Sequence, residues 1–443
     1  MKWTTRAGAL CALAVFALAP RAALSQSESR THMRYVSAED QALHDLLVKA
    51  KAETDANNYA DAQTDYEKYL AQRPSDAAAH FDLGYVFTAQ KEKDKAIAEY
   101  RKAVQLDPKM MDAQLNLGLS LLSDDPKDAI EPLQNVIMLN DSFERGHFLL
   151  GVAEERAGNA ADADKEFSAA IKLDPNDTDA HEALGRIYLA AGKAADAEDE
   201  FRQVLRLKPN DQKDDQQAEL GLAESLLRQK KNAAAADALT TYLNADPNDG
   251  KARFMQASVL ADLGKNDEAL AALDRAAKDA PETIDALKLR SAIDYRKKKF
   301  ADAVTALQKA EPMAPSDASI HASLGHALLE TKNYPNAARE LSEALRLDPS
   351  STGTLRDLVS AEYLQNNFSA TLAALDALAQ HQPPTAGDWF VRALCYDHGN
   401  QPEQALAAYQ KFLAMNTNKN SDQYFQATER VRFLQLLIKK KGH

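Results

Sequence analysis

The stretch Leu184-Gly185-Arg186-Ile187-Tyr188-Leu189-Ala190-Ala191-Gly192-Lys193-Ala194-Ala195-Asp196-Ala197-Glu198-Asp199-Glu200-Phe201 holds the unit on which this chain is built. A Leu-Gly pair opens it, Gly192 interrupts it, and an alanine followed four residues later by an aromatic closes it. The closing alanine recurs as Ala62, Ala96, Ala129, Ala163, Ala197, Ala235, Ala269, Ala303, Ala337 and Ala405, with Thr371 in the tenth place. Eight of the ten gaps are 34 residues; the other two are 33 and 38. A fixed period of this length marks stacked helix pairs, each of which buries its apolar face only against its neighbours. It predicts an all-α chain with little room for a separate catalytic domain.

With the alanine numbered 20, other columns align. Position 8 is Gly84, Gly118, Gly151, Gly185 and Gly325. Position 24 is Tyr66, Tyr100, Phe167, Phe201 and Tyr409, or leucine at 239, 273, 307 and 341. Position 32 is proline from Pro74 to Pro383 in nine repeats. Small residues at 8 and 20 let two helices approach, and the large residue at 24 fills the groove between them. The residue before proline is pushed out of the α region and ends the second helix. Pro-Ser-Asp at 74–76 and Pro-Asn-Asp at 175–177 then supply N-cap side chains for the next one. Asn57-Asn58, Gly158-Asn159, Gly192, Gly264 and Asn366-Asn367 tolerate a left-handed backbone between the helices of a pair. Pro126, Pro335 and Pro402 stand where a helix begins, the place that accepts proline.

These columns resemble the tetratricopeptide repeat family over about residues 43 to 417. The resemblance implies a right-handed superhelical solenoid of about eleven helix-turn-helix repeats. The expected organisation is repeats 1–5 over 43–209, a polar insertion and weak joint at 210–217, and repeats 6–11 over 218–417. A capping helix should follow from Asp422 to Lys441 within 418–443, burying Phe425, Val431, Phe433, Leu434, Leu436 and Leu437. Repeat 3 departs from the pattern by one missing residue, and repeats 6, 7 and 8 replace the position-8 glycine with Ala223, Ala257 and Ser291.

Residues 1–25 stand outside the repeats. Lys2 and Arg6 precede an apolar run from Ala7 to Ala19, and Ala23-Leu24-Ser25 supplies the small residues a signal peptidase reads. Cleavage before Gln26 is expected, with a lead segment over 26–42 and an exported, periplasmic or secreted protein. Cleavage removes three cations and no acid, leaving 50 cations against 66 acids, a net charge of −16. Nucleic acid and anionic membranes attract basic surfaces, so neither is an expected partner. No run of 18 apolar residues forms an ordinary membrane span. The expected mature chain keeps one cysteine, Cys395, read as a buried structural thiol.

No phosphate loop, zinc-protease motif, nucleophile elbow or paired-cysteine site occurs, so the expectation is no catalytic residue, no metal and no cofactor. His80, His147, His181 and His321 share position 4 of their repeats. Successive repeats lie roughly 10 Å apart, too far for zinc bonds of about 2 Å, so these histidines are read as packing residues. Arg296-Lys297-Lys298-Lys299 is read as a solvated turn. Some members of the family grip a peptide carboxylate with a Lys/Asn/Arg clamp. Leu47, Lys51, Asp82, Asp112 and Asn116 do not reproduce it.

The resemblance implies protein or peptide partners on the face lined by positions 2, 5, 9 and 12 of each first helix. A first candidate strip there is apolar: Phe81, Tyr85, Leu115, Leu119, Leu122, Phe148 and Val152. Either a ligand covers it or curvature buries it, or the chain's own Met33-Arg34-Tyr35-Val36 lies in it. A second strip is more cationic: Lys251, Phe254, Lys288, Tyr295, Arg356 and Tyr363. The functional expectation is a non-enzymatic interaction scaffold in the cell envelope. The alternative is a substrate-recognition or assembly subunit of an envelope enzyme or export machine, such as one for polysaccharide. Oligomeric state is left open.

Overall fold

A computed structural model describes residues 38–207 and 212–441. Residues 1–37, which hold the expected signal segment and Met33–Val36, and residues 208–211 lie outside the described residues. Among those described, 23 α-helices and one short 3-10 turn account for all regular structure, and there is no strand. They gather into two compact units, divided in sequence between Ser120 and Leu121.

The first unit holds α1 (Ala38–Asp55), α2 (Tyr59–Gln72), α3 (Ala77–Ala89), α4 (Lys93–Leu106) and nearly all of α5 (Met111–Leu121). The second begins with α6 (Pro126–Leu139), α7 (Glu144–Ala157), α8 (Ala160–Leu173), α9 (Thr178–Ala190), α10 (Ala194–Leu207), α11 (Gln212–Arg228) and α12 (Asn232–Ala245). It continues through α13 (Gly250–Asp262), α14 (Asn266–Asp279), α15 (Ile284–Arg296), α16 (Phe300–Ala310), α17 (Ala318–Glu330) and α18 (Tyr334–Leu347). The last elements are α19 (Thr352–Leu364), α20 (Phe368–His381), α21 (Ala386–His398), α22 (Pro402–Met415) and α23 (Asp422–Lys441). Odd-numbered helices up to α21 are the first (A) helices of each pair.

The repeat columns become packing. Every position-20 residue is buried, Thr371 included. A methyl group at Gly84 would lie 2.7 Å from the Tyr100 ring, and one at Gly151 would lie 2.7 Å from the Phe167 ring. The glycine therefore makes room for the position-24 ring itself, a closer fit than a groove filled from the side. The Asp76 and Asp177 carboxylates accept from the amides of Ala79 and Ala180, each at 3.1 Å, as N-caps do. Gly158, Gly192, Gly264, Asn57 and Asn366 have positive φ as expected; Lys91, Lys230, Lys298 and Lys332 also do, a role that lysine does not advertise.

Three expectations change. α1 begins at Ala38, inside the segment read as a lead. From Gln212 onward the insertion is helix, which extends α11 to 17 residues. Phe201 and Val204 before it and Ala218, Leu222 and Leu226 after it share one buried cluster, so the core runs across the expected weak joint. The capping helix keeps its predicted bounds, but Phe425, Phe433 and Leu436 are 70%, 50% and 64% exposed. A single helix offers one face to its neighbour. Here that face is Ala427 and Leu434, buried, with half-buried Val431 and Leu437.

Candidate functional site

Position 4 has a role beyond packing. In four repeats the histidine Nδ1 meets a glutamate on the second helix: His80–Glu99 at 2.5 Å, His147–Glu166 at 2.8 Å, His181–Glu200 at 2.6 Å and His321–Glu340 at 2.8 Å. Each Nε2 faces the backbone carbonyl six residues earlier, at Pro74, Asp141, Pro175 and Pro315, at 3.1–3.2 Å. At His181 and His321, set between a carboxylate and a carbonyl that both accept, donation from both nitrogens is the imidazolium form. Burial opposes that charge at His181 and His321. The hydrogen bonds that the rings donate to Glu200 and Pro175, and to Glu340 and Pro315, together with the charge of the two glutamates, outweigh it and raise both rings above the ordinary histidine value. Elsewhere Gln114 Nε2 donates to the Pro108 carbonyl at 3.1 Å, and Arg253 donates to that of Pro247. In these six repeats position 4 is thus a donor that ties the A helix to the turn before it. Its signal in the sequence was the histidine shared by four repeats, although Leu46, Leu287 and Leu355 fill the column elsewhere.

Glu311, His321 and Glu340 bring three ligand-type atoms within 4.8 Å of one another. Both nitrogens of His321 are already bonded, so a cation there would have to break the tie. Cys395 is buried, and burial pushes its thiol up to about 11, as expected of a structural residue. Among the described residues no helix is long and apolar enough to cross a membrane.

The first candidate strip divides between the two units. In the first, α3 and α5 carry Phe81, Tyr85 and Leu115, half-buried, and Leu119, 38% exposed. The Phe81 ring rests on Tyr100, with centroids 5.9 Å apart. Asp82, beside Phe81, is held above the usual carboxylate range by burial, although the Lys51 ammonium lies 3.5 Å away. In the second unit, Leu122 is buried and its carbonyl accepts from Arg156 at 3.0 Å. Phe148 packs 5.7 Å from Phe167 beneath the Arg145 guanidinium, and Val152 joins the same cluster. Leu122 is core, whereas Phe148 and Val152 are half-buried like Phe81, Tyr85 and Leu115, and Leu119 is the most open of the seven.

The second strip lies wholly in the second unit, and its charges are largely spent. Lys288 reaches Asp317 at 3.1 Å and Ser319 at 2.7 Å, and Arg356 reaches Asp388 at 3.4 Å. The Tyr295 ring contacts Phe300 and His326, and its hydroxyl donates to Glu330 at 3.3 Å. His326 Nδ1 meets Asp357 at 2.8 Å, and Asp357 raises that ring. Tyr363 packs 6.1 Å from Phe368, Phe254 is half-buried, and Lys251 is exposed. Each bond from an A helix to the next acts as glue along the array. The basic turn is similarly occupied: Lys297 pairs with Asp267, and Arg296 donates to the Ala261 carbonyl at 3.0 Å. Sequence reasoning also passed over Glu144, which burial and the neighbouring Asp177 push up to about 7.

A tetratricopeptide repeat model matches residues 47–110, 145–212, 220–284 and 293–352, and a second matches 389–416. The chain belongs to the tetratricopeptide repeat family. Tetratricopeptide repeats are interaction modules, and this chain is a scaffold of them. No curated protein matches it in sequence. The crystal structure of MamA is 22% identical, covering 38% of this chain and 93% of that one, at a TM-score of 0.37. YrrB, described as a tetratricopeptide repeat protein with an unusual peptide-binding site, is 21% identical over 44% of this chain and 99% of its own, at a TM-score of 0.37. Yeast Tom70 is 14% identical, covering 90% and 97%, at a TM-score of 0.33. At such identities the likeness concerns the fold alone.

Proposed function

We propose that this tetratricopeptide repeat chain is an exported, non-enzymatic scaffold that binds an extended peptide segment with apolar or aromatic side chains along α3 and α5. The observation that carries the reading is the partly open apolar surface of Phe81, Tyr85, Leu115 and Leu119 on two consecutive A helices. Apolar surface left open at positions the helix pairs do not need for packing marks an interaction site. The acidic balance of the chain turns it away from nucleic acid and toward protein. Export rests on the basic start, apolar run and Ala-Leu-Ser of residues 1–25.

The test is capture of partners by the tagged chain from its native envelope, followed by mass spectrometry, with and without the pair Tyr85→Ser and Leu119→Ser. A specific partner should be lost from the double variant while its far-ultraviolet circular dichroism is unchanged. Undiminished capture by a folded variant would move the site elsewhere. N-terminal sequencing of the exported protein should give Gln26, and a chain that begins at Met1 would refute cleavage.

A further inference from the structure

The outer face of α23 carries a pattern that burial does not explain. Asp422, Phe425, Glu429, Arg432, Leu436 and Lys439 are all exposed. Their spacing alternates three and four residues, the seam that helices use to pack on one another. This seam lies opposite the face that holds Ala427 and Leu434 against the last repeat. Its order is also self-complementary. Read from both ends toward the middle, Asp422 matches Lys439, Phe425 matches Leu436 and Glu429 matches Arg432. Each match is an acid with a base or an apolar residue with an apolar residue, and all three share one midpoint between Arg430 and Val431. An antiparallel copy of the same helix, related by a two-fold axis through that midpoint, would place every member opposite its complement. Two-fold interfaces require that self-matching of a surface.

We propose that α23 is a self-association surface, on which a second copy of this chain packs its own α23 antiparallel. The charge order selects this occupant: a parallel copy would set Asp422 on Asp422 and Arg432 on Arg432. Phe433, half-covered by the Arg430 guanidinium 4.7 Å from its ring centre, flanks the seam and widens the apolar contact. In the single chain Arg432 Nη1 lies 2.6 Å from Glu429 of its own helix. Across the axis each of these two can also serve the other copy, which gives a four-membered charge cluster at the centre. One helix per copy buries less than the roughly 1,200 Å² of a stable interface, so the dimer is weak and shows itself at micromolar concentration and above.

Sedimentation equilibrium of the full exported chain over a range of micromolar concentrations tests this. The mean mass should rise toward twice the monomer with concentration. Arg432→Glu should abolish the rise, because four carboxylates then meet at the axis. Glu429→Arg should do the same with four guanidinium groups, and adding Arg432→Glu to Glu429→Arg should restore it. Phe425→Ser with Leu436→Ser should abolish association without loss of helix. A chain that is monomeric throughout overturns the proposal. So does a dimer that survives both single reversals, or one that the double exchange fails to restore.

Discussion

On the A helices of the first unit, Phe81, Tyr85, Leu115 and Leu119 keep apolar surface open, while from α15 to α21 of the second unit the matching faces are bound up in ion pairs. There Lys288 is tied to Asp317, His326 to Asp357 and Arg356 to Asp388. The same register positions therefore serve two ends. Charged residues reach the next A helix and hold the array together. Apolar residues at these positions make no such ion pair, and the proposed peptide site rests on them. A cationic strip in a repeat sequence is thus not by itself a binding surface, because its counter-charges come from one repeat further on.

Four experiments bear on that contrast. The largest effect belongs to the packing both regions share: Ala163→Leu in a fully buried column should cost about 1–3 kcal/mol by overpacking. Asp162→Ala, on an exposed neighbour, should change stability by less than about 0.5 kcal/mol in the same urea titration. Asp164 is a poorer control than the sequence suggests, since it accepts from the Tyr188 hydroxyl at 3.3 Å. Next, Tyr85→Ser with Leu119→Ser should weaken a captured partner at least tenfold, about 1.4 kcal/mol. Lys288→Ala with Arg356→Ala should leave that affinity within about twofold, well under 1 kcal/mol. The reverse pattern would transfer the site to the second unit.

The histidine ties predict a pH dependence. His181 and His321 have folded values raised above their unfolded ones, so their contribution is fully present below the unfolded histidine value, about 6.5. It is lost as pH rises through the folded values. The melting temperature of the chain should fall over that window. The pair His181→Gln and His321→Gln should flatten the fall, because Gln114 shows that glutamine can donate to the same carbonyl without titrating. An unchanged slope would mean the rings are neutral. The smallest effect is that of one ladder rung: Asp357→Asn should cost at most about 1 kcal/mol, and less as salt is raised.

The sequence alone determined the helix pairs, the alanine column, the proline that ends most second helices, and the limits of α23, because these depend on local rules repeated many times. It could place the left-handed turns where glycine or asparagine stood, but not where Lys91 or Lys298 fills the same role, since lysine carries no signal for that backbone. Tertiary structure decided the rest. The insertion at 210–217 reads as a polar break, yet from Gln212 it is helix beside an unbroken core, because extra turns can be added to one end of a helix without moving its packed face. Leu122 reads like Leu119, yet it is buried while Leu119 is 38% exposed. Periodicity tells which face of a helix a residue occupies. Which of those faces meets another helix, a counter-ion from the next repeat, or open solvent depends on neighbours a whole repeat away in sequence, and only the assembled repeats supply them.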